Sequence, residues 1–305
     1  MLVQQLGVAN SPKPKPEPSV PEQPQTAEEY SAYLGDFIEE NLANFYPPKD
    51  ERVKKLAKRA ADQAQAVTDK FHLSPELTTG LAKLALYDFV ILCDNSGSME
   101  QEDRMLALEE TLKRVATFAT VLSEDGISIR FLNYDNDRNS EFDNLTRVSD
   151  IEEKFARIQC VGDTKLGTIL KDKIVKPMIL RKVREKTLRK PVIVVIITDG
   201  EPYNEPRESL RDTIRDCKIR LGLRGYRKSA VVFLISRVGT SPEAKRFLDE
   251  LRADQEVGHL VYSSMDDLNE KREIFERGGD NTAYTSLLIK LFLAALQSQT
   301  ESQVC

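Results

Sequence analysis

From Tyr87 onward, short runs of consecutive apolar residues alternate with longer stretches in which apolar residues recur every three or four positions. Runs of the first kind read as buried strands, and stretches of the second kind as helices with one face turned to a core. The strands predicted in this way are 87–93, 127–132, 191–198, 230–236 and 258–262. Between them, Met105, Leu108, Leu112, Val115, Ala119 and Leu122 mark a long helix that starts around Met99. Residues 148–158 predict a short helix. Ile169, Leu170, Ile174, Met178 and Ile179 predict another after Gly167, which continues into a basic segment ending at Lys190. Helices at 206–222, 242–253 and 282–297 complete the series, and residues 141–148 are expected to add a short antiparallel edge strand. Such alternation predicts an α/β fold, a doubly wound and mostly parallel sheet with helices on both faces and right-handed crossovers.

The N-terminal third carries helical patterns only. Thr26-Ala27-Glu28-Glu29 matches a capping box and predicts a helix to about residue 42, ended by Pro47-Pro48. A second helix from about residue 50 places Val53, Leu56, Ala60, Ala64, Val67 and Phe71 on one stripe, which must pack on something. Ser74-Pro75-Glu76 reads as a third helix start, with Ser as cap and Pro in the first turn, running through Leu81 and Leu84 into the first strand. Ahead of these, Pro12, Pro14, Pro16, Pro18, Pro21 and Pro24 alternate with Lys, Glu and Gln, a composition that builds no core and stays extended. The expected organisation is a disordered tail over 1–25, a helical extension over 26–81, the α/β domain over 82–298 and a short tail over 299–305.

Composition narrows the possibilities. A net charge of −5 gives no general attraction to nucleic acid or to an anionic membrane. No apolar stretch approaches the roughly 18 residues a membrane span needs. The N-terminus lacks an apolar signal core, and the final Gln-Val-Cys is not a prenylation box. Cys93, Cys160, Cys217 and Cys305 form neither CxxC pairs nor a dense framework, so reduced thiols in a cytoplasmic protein are expected, with Cys93 a buried small hydrophobe. His72 and His259 are the two imidazoles, too few for a His-rich metal site.

The candidate chemistry sits at predicted strand ends, where open α/β sheets bind ligands. The first strand stops at Asp94, and Ser96 and Ser98 follow at alternating positions around Gly97, so three hard oxygens can point to one side. The most apolar strand stops at Asp199. Between them, Gly162-Asp163-Thr164-Lys165-Leu166-Gly167-Thr168 is a glycine-bearing loop just before a helix. Three loops can therefore meet over one sheet edge, carrying Asp94, Ser96 and Ser98, then Thr164, then Asp199. Ser96 and Ser98 taken alone read equally well as helix caps, and Asp199-Gly200 as a turn. The loop Asp135-Asn136-Asp137-Arg138-Asn139 lacks the glycine and glutamate of a calcium loop and reads as an ordinary acidic loop. The run from Arg181 to Lys190 reads as a solvated helix face.

Asp-x-Ser-x-Ser after a buried strand, Gly-x-Thr-x-x-Gly-Thr, and an apolar strand closing in Thr-Asp-Gly together resemble the von Willebrand factor type A domain with its metal-ion-dependent adhesion site. The resemblance covers roughly 82–298, and residues 81–87 are similar to intracellular fungal members. It implies that Ser96 and Ser98 ligate a cation directly through their hydroxyls. It further implies that Thr164 moves between direct and water-mediated contact, and that Asp94 and Asp199 hold the metal directly or through its waters. Gly162 and Gly167 would shape the second loop. Asn95 departs from the more usual residues at a position that points away from the metal, and Asp163 adds a negative charge beside Thr164. The implied cofactor is Mg²⁺ or Mn²⁺, and the implied partner is a protein presenting an Asp or Glu.

The function expected on this reading is a metal-dependent protein–protein interaction module, and not an enzyme. A structural module whose metal only ties loops together is the alternative. A nucleotide- or phosphate-processing α/β enzyme fits less well. A Walker loop needs Lys before the Ser or Thr, where Thr168 follows Gly167 directly. A two-aspartate phosphatase needs an acid where Ser96 stands, and no Gly-x-Ser-x-Gly elbow occurs at Ser96, where Asp94 and Ser98 stand in place of the two glycines.

Overall fold

In the computed structural model, which describes residues 23–122, 124–135, 140–279 and 281–300, the strands form one parallel sheet. β1 (Asp88–Cys93), β2 (Ile127–Phe131), β3 (Val192–Thr198), β4 (Val231–Arg237) and β5 (Val261–Asp267) stand in the order β2-β1-β3-β4-β5. All neighbours run parallel. Every residue of β3 is buried, as is every residue of β1 after Asp88. Strands covered on both faces need apolar residues at successive positions, which is why these two read as continuous runs. Most of the proline-rich tail, the 136–139 part of the acidic loop, the Leu122 side chain and Cys305 lie outside the described residues.

Helices flank the sheet. α1 (Ala27–Asn41), α2 (Glu51–Phe71), α3 (Pro75–Leu84), α4 (Arg104–Leu122) and α11 (Asn281–Thr300) share one apolar cluster with the strands. The capping box at Thr26 forms in both directions. Tyr46 Oη donates to Leu86 O at 2.5 Å, which ties the segment after α1 to the entry of β1. Gly80 lets α3 approach α11 closely, since a Cβ there would lie 2.7 Å from Leu293 Cδ1. Phe89 of β1, Phe118 of α4 and Phe292 of α11 form a ring cluster with centroids 5.3–6.2 Å apart. The remaining helices are α5 (Val148–Phe155), α6 (Leu166–Ile169), α7 (Arg181–Arg184), α8 (Ser209–Gly222), α9 (Pro242–Ala253) and α10 (Leu268–Arg277); α5 packs on α4, and α10 on both α4 and α11. A π-helical segment, Leu170–Leu180, joins α6 to α7 and contains Pro177. Proline lacks the N–H that an α-helical ladder requires and clashes with the carbonyl one turn back, and widened turns accommodate both.

Several boundaries differ from the sequence expectation. The antiparallel edge strand at 141–148 is reduced to one bridge, Ile127↔Leu145, with Ile129 N donating to Phe142 O. Asn144 lies at φ 53°, which breaks the extended backbone that a strand needs. α4 starts at Arg104 and not near Met99. Gly97–Glu100 forms a 3-10 turn, and left-handed Glu102 and Asp103 separate it from the helix. β5 begins three residues late, after the 3-10 turn Gly258–Leu260, and runs on to Asp267. α10 was not expected at all, because its sequence is mostly charged; Asp267 starts it by accepting from Asn269 N and Glu270 N.

Candidate metal centre

β1 and β3 are neighbours in parallel register, with Cys93 opposite Ile197, so the residues leaving them emerge together at the carboxyl edge. Asp94 and Asp199 are 0% and 1% exposed. Asp94 Oδ1 accepts from Ser96 N at 2.8 Å, and Oδ2 accepts from Thr198 Oγ1 at 2.6 Å. Burial pushes the Asp94 carboxyl up to about 6, helped by the nearby charge of Asp199 and opposed by the hydrogen bonds from Thr198 and Ser96.

The two serines connect the carboxylates. Ser96 Oγ lies 3.1 Å from Ser98 Oγ, and Ser98 Oγ donates to Asp199 Oδ1 at 3.0 Å. Ser96 precedes the 3-10 turn, yet its hydroxyl makes no capping bond to that turn, so capping does not account for it. Ser98 is exposed and Ser96 buried, which opens the oxygen cluster to solvent on the Ser98 side.

The second loop is locked onto the first. Asn95 Nδ2 donates to Gln159 O at 2.9 Å, Asn133 N donates to Asn95 Oδ1 at 2.8 Å, and Val161 N donates to Asn95 O at 2.8 Å. Gly162 sits at φ 76°, where a Cβ would lie 2.7 Å from Asn133 Oδ1. Thr164 is 6% exposed, and its carbonyl accepts from Tyr203 N at 2.9 Å. It faces the third loop at Gly200, where an added Cβ would lie 3.8 Å from Thr164 Oγ1. Asp163 turns to Asn204 Nδ2 at 2.8 Å and to Lys165 Nζ at 3.5 Å. The structure thus brings all five sequence-identified residues, Asp94, Ser96, Ser98, Thr164 and Asp199, to one edge of the sheet.

Arg104 is a neighbour that the sequence did not reveal. Its Nη1 donates to Asp199 Oδ2 at 2.5 Å and to Ser98 O at 3.2 Å, while Nη2 donates to Glu102 Oε2 at 2.9 Å. The only signal was an arginine six residues beyond Ser98, indistinguishable in sequence from a solvent-facing helix residue. Asn95 was likewise legible only as a departure, and its role in pinning the second loop emerged with the fold.

The donor set is all oxygen, two carboxylates and three hydroxyls. Among the described residues no three His, Cys, Asp or Glu side chains converge, so the cluster suits a hard octahedral cation and offers nothing to one that prefers thiolate or imidazole. Phosphate binding fits poorly at the Gly167 loop. Its helix-start N–H groups already serve the Glu205 carboxylate, Gly167 N at 2.8 Å and Thr168 N at 2.9 Å.

Two structures of proximal thread matrix protein 1 from the mussel byssus are similar at 15% and 17% identity, with TM-scores of 0.41 and 0.39. Each alignment covers 68% of this chain and 47% of that one. No curated protein matches the sequence. The family model for the von Willebrand factor type A domain matches residues 88–276. This span takes in all five strands and the three loops, and the chain belongs to the von Willebrand factor type A domain family.

Proposed function

We propose that this chain is a metal-dependent protein-interaction module whose cation is held by Ser96, Ser98, Thr164, Asp94 and Asp199. Mg²⁺ or Mn²⁺ bound there would supply an electrophilic coordination position for an Asp or Glu carboxylate of a protein partner. The observation that carries the proposal is the unbroken oxygen chain from Ser96 through Ser98 to Asp199 at one edge of the sheet, open to solvent at Ser98. Three of the five donors are neutral hydroxyls, so the protein contributes no more negative charge than the cation carries, and a coordination position can go to a carboxylate from outside. Direct hydrogen bonds already join the loops: Thr198 to Asp94, Asn95 to Gln159, and Tyr203 to Thr164. This favours an interaction role over a cation that merely staples loops.

Among the described residues no helix is long and apolar enough to cross a membrane. Cys93, Cys160 and Cys217 are unpaired, which supports the proposal of a reducing, cytoplasmic setting. Titration calorimetry with Mg²⁺ and Mn²⁺ on the wild type and on Ser96→Ala tests the site. Binding in the millimolar range or tighter, weakened about ten-fold or more by the substitution, is expected from the loss of a direct oxygen ligand. Absence of binding by the wild type would remove the proposal. Partner capture with and without EDTA then separates the two roles, since a chelation-indifferent partner set would favour the structural one.

A further inference from the structure

We propose that Arg104 is a built-in counter-cation that sets the metal affinity of this site by competing for Asp199. The inference rests on the metal-dependent reading above and deepens it. Asp199 divides its two oxygens: Oδ1 accepts from Ser98 Oγ at 3.0 Å, and Oδ2 is taken by Arg104 Nη1 at 2.5 Å. The Arg104 side chain is 7% exposed and that of Asp199 is 0%, so solvent screens the pair little and the attraction is strong.

The fold is built to keep the guanidinium there. Left-handed Glu102 and Asp103 separate the 3-10 turn from α4 and start the helix at Arg104 itself. Glu102 Oε2 accepts from Arg104 Nη2 at 2.9 Å, and Glu102 is held in turn by Asn269 Nδ2 of α10, which donates to its carbonyl at 2.8 Å. Above the guanidinium, the loop after β4 passes at Gly239, φ 77°, where any Cβ would strike Arg104 Nε.

Two buried carboxylates beside each other would repel and demand a cation. Arg104 satisfies half of that demand from within the chain. A divalent cation must therefore share or displace the guanidinium at Asp199, and it binds more weakly than Asp94 and Asp199 alone would allow. Once it is bound, the Arg104 charge adds to the positive potential that an incoming carboxylate meets.

The test is Mn²⁺ affinity, measured by calorimetry, together with melting temperature with and without Mn²⁺, on the full chain. Arg104→Met, which preserves bulk, is expected to tighten Mn²⁺ binding by about ten-fold or more. It should also melt below the wild type without metal, and gain more from Mn²⁺ than the wild type does. Arg104→Lys keeps the charge and should stay within about three-fold of the wild type. Glu102→Gln, at a side chain 46% exposed, frees Arg104 for Asp199 and should weaken Mn²⁺ binding a few-fold; it decides the matter alone if Arg104→Met does not fold. Wild-type binding that is unchanged or weaker in a folded Arg104→Met overturns the inference and leaves the metal site standing. Binding by neither protein overturns both readings. Binding by both proteins, tighter for Arg104→Met, supports the competition.

Discussion

The hydroxyl of Thr198 donates to the carboxylate of Asp94 at 2.6 Å, joining the last residue of β3 to the first residue beyond β1. The same oxygen accepts from Gly200 N at 3.2 Å, so one side chain fixes both carboxylate-bearing turns. Thr198→Val keeps the shape and removes the bonds. A stability loss of about 1–3 kcal/mol is expected, seen as a lower urea midpoint at unchanged slope. A midpoint equal to that of the wild type would show that the bond contributes nothing.

The raised Asp94 carboxyl makes metal-free stability depend on pH. The folded-state value of about 6 lies above the ordinary 3.8, so between these values the folded protein keeps a proton that the unfolded chain has released. The contribution is fully present below about pH 4 and is lost as pH rises through about 6, on the order of 2–3 kcal/mol by neutrality. In EDTA, Asp94→Asn should therefore be more stable than the wild type at pH 7.5, and the advantage should shrink toward pH 4. Parallel melting curves for the two proteins across that range would contradict this.

Asn95 is buried and holds Gln159 and Asn133 with the two ends of one amide. Asn95→Ala removes the side-chain partner of the Gln159 carbonyl and of the Asn133 N–H, both in part-buried bonds. A loss of about 1–3 kcal/mol is expected, together with faster amide exchange at Val161, whose N–H bonds to the Asn95 carbonyl. Unchanged exchange there would mean that the second loop is held by other contacts.

Two glycines in helices should respond in opposite directions to alanine. Gly167 lies against the backbone of Ser209 and Leu210, with no room for a Cβ, and Gly167→Ala should cost about 1–3 kcal/mol through forced separation of α6 and α8. Gly35 in α1 has nothing within 4 Å of the added atom, and Gly35→Ala should stabilise by about 0.5–1 kcal/mol through helix propensity. Thermal melts of the pair provide the check.

The parallel sheet was legible because β1 and β3 are covered on both sides, leaving unbroken apolar runs whose ends fall at Asp94 and Asp199. The convergence of Asp94, Ser96, Ser98, Thr164 and Asp199 on one edge was legible because each sits one or a few residues from such an end or from a loop glycine. Arg104 was not, since nothing in Arg104-Met105-Leu106 distinguishes an arginine that folds back onto a carboxylate from one that faces water. α10 escaped for a related reason: its start depends on the Asp267 cap, and its polar composition hides the period. The edge strand at 141–148 was over-read, because the left-handed turn at Asn144 leaves little trace in a single residue type.

The ring cluster of Phe89, Phe118 and Phe292 bears on where this molecule can be cut. Phe292 lies beyond residue 276, where the family match ends, and α3, which packs on α11 through Gly80, lies before residue 88, where it begins. A fragment trimmed to the matched residues would keep every candidate metal donor and lose one wall of its own interior, leaving Phe89 and Phe118 without Phe292. The smallest piece that folds is therefore larger than the family's footprint, and a soluble minimal fragment should run from α1 through α11.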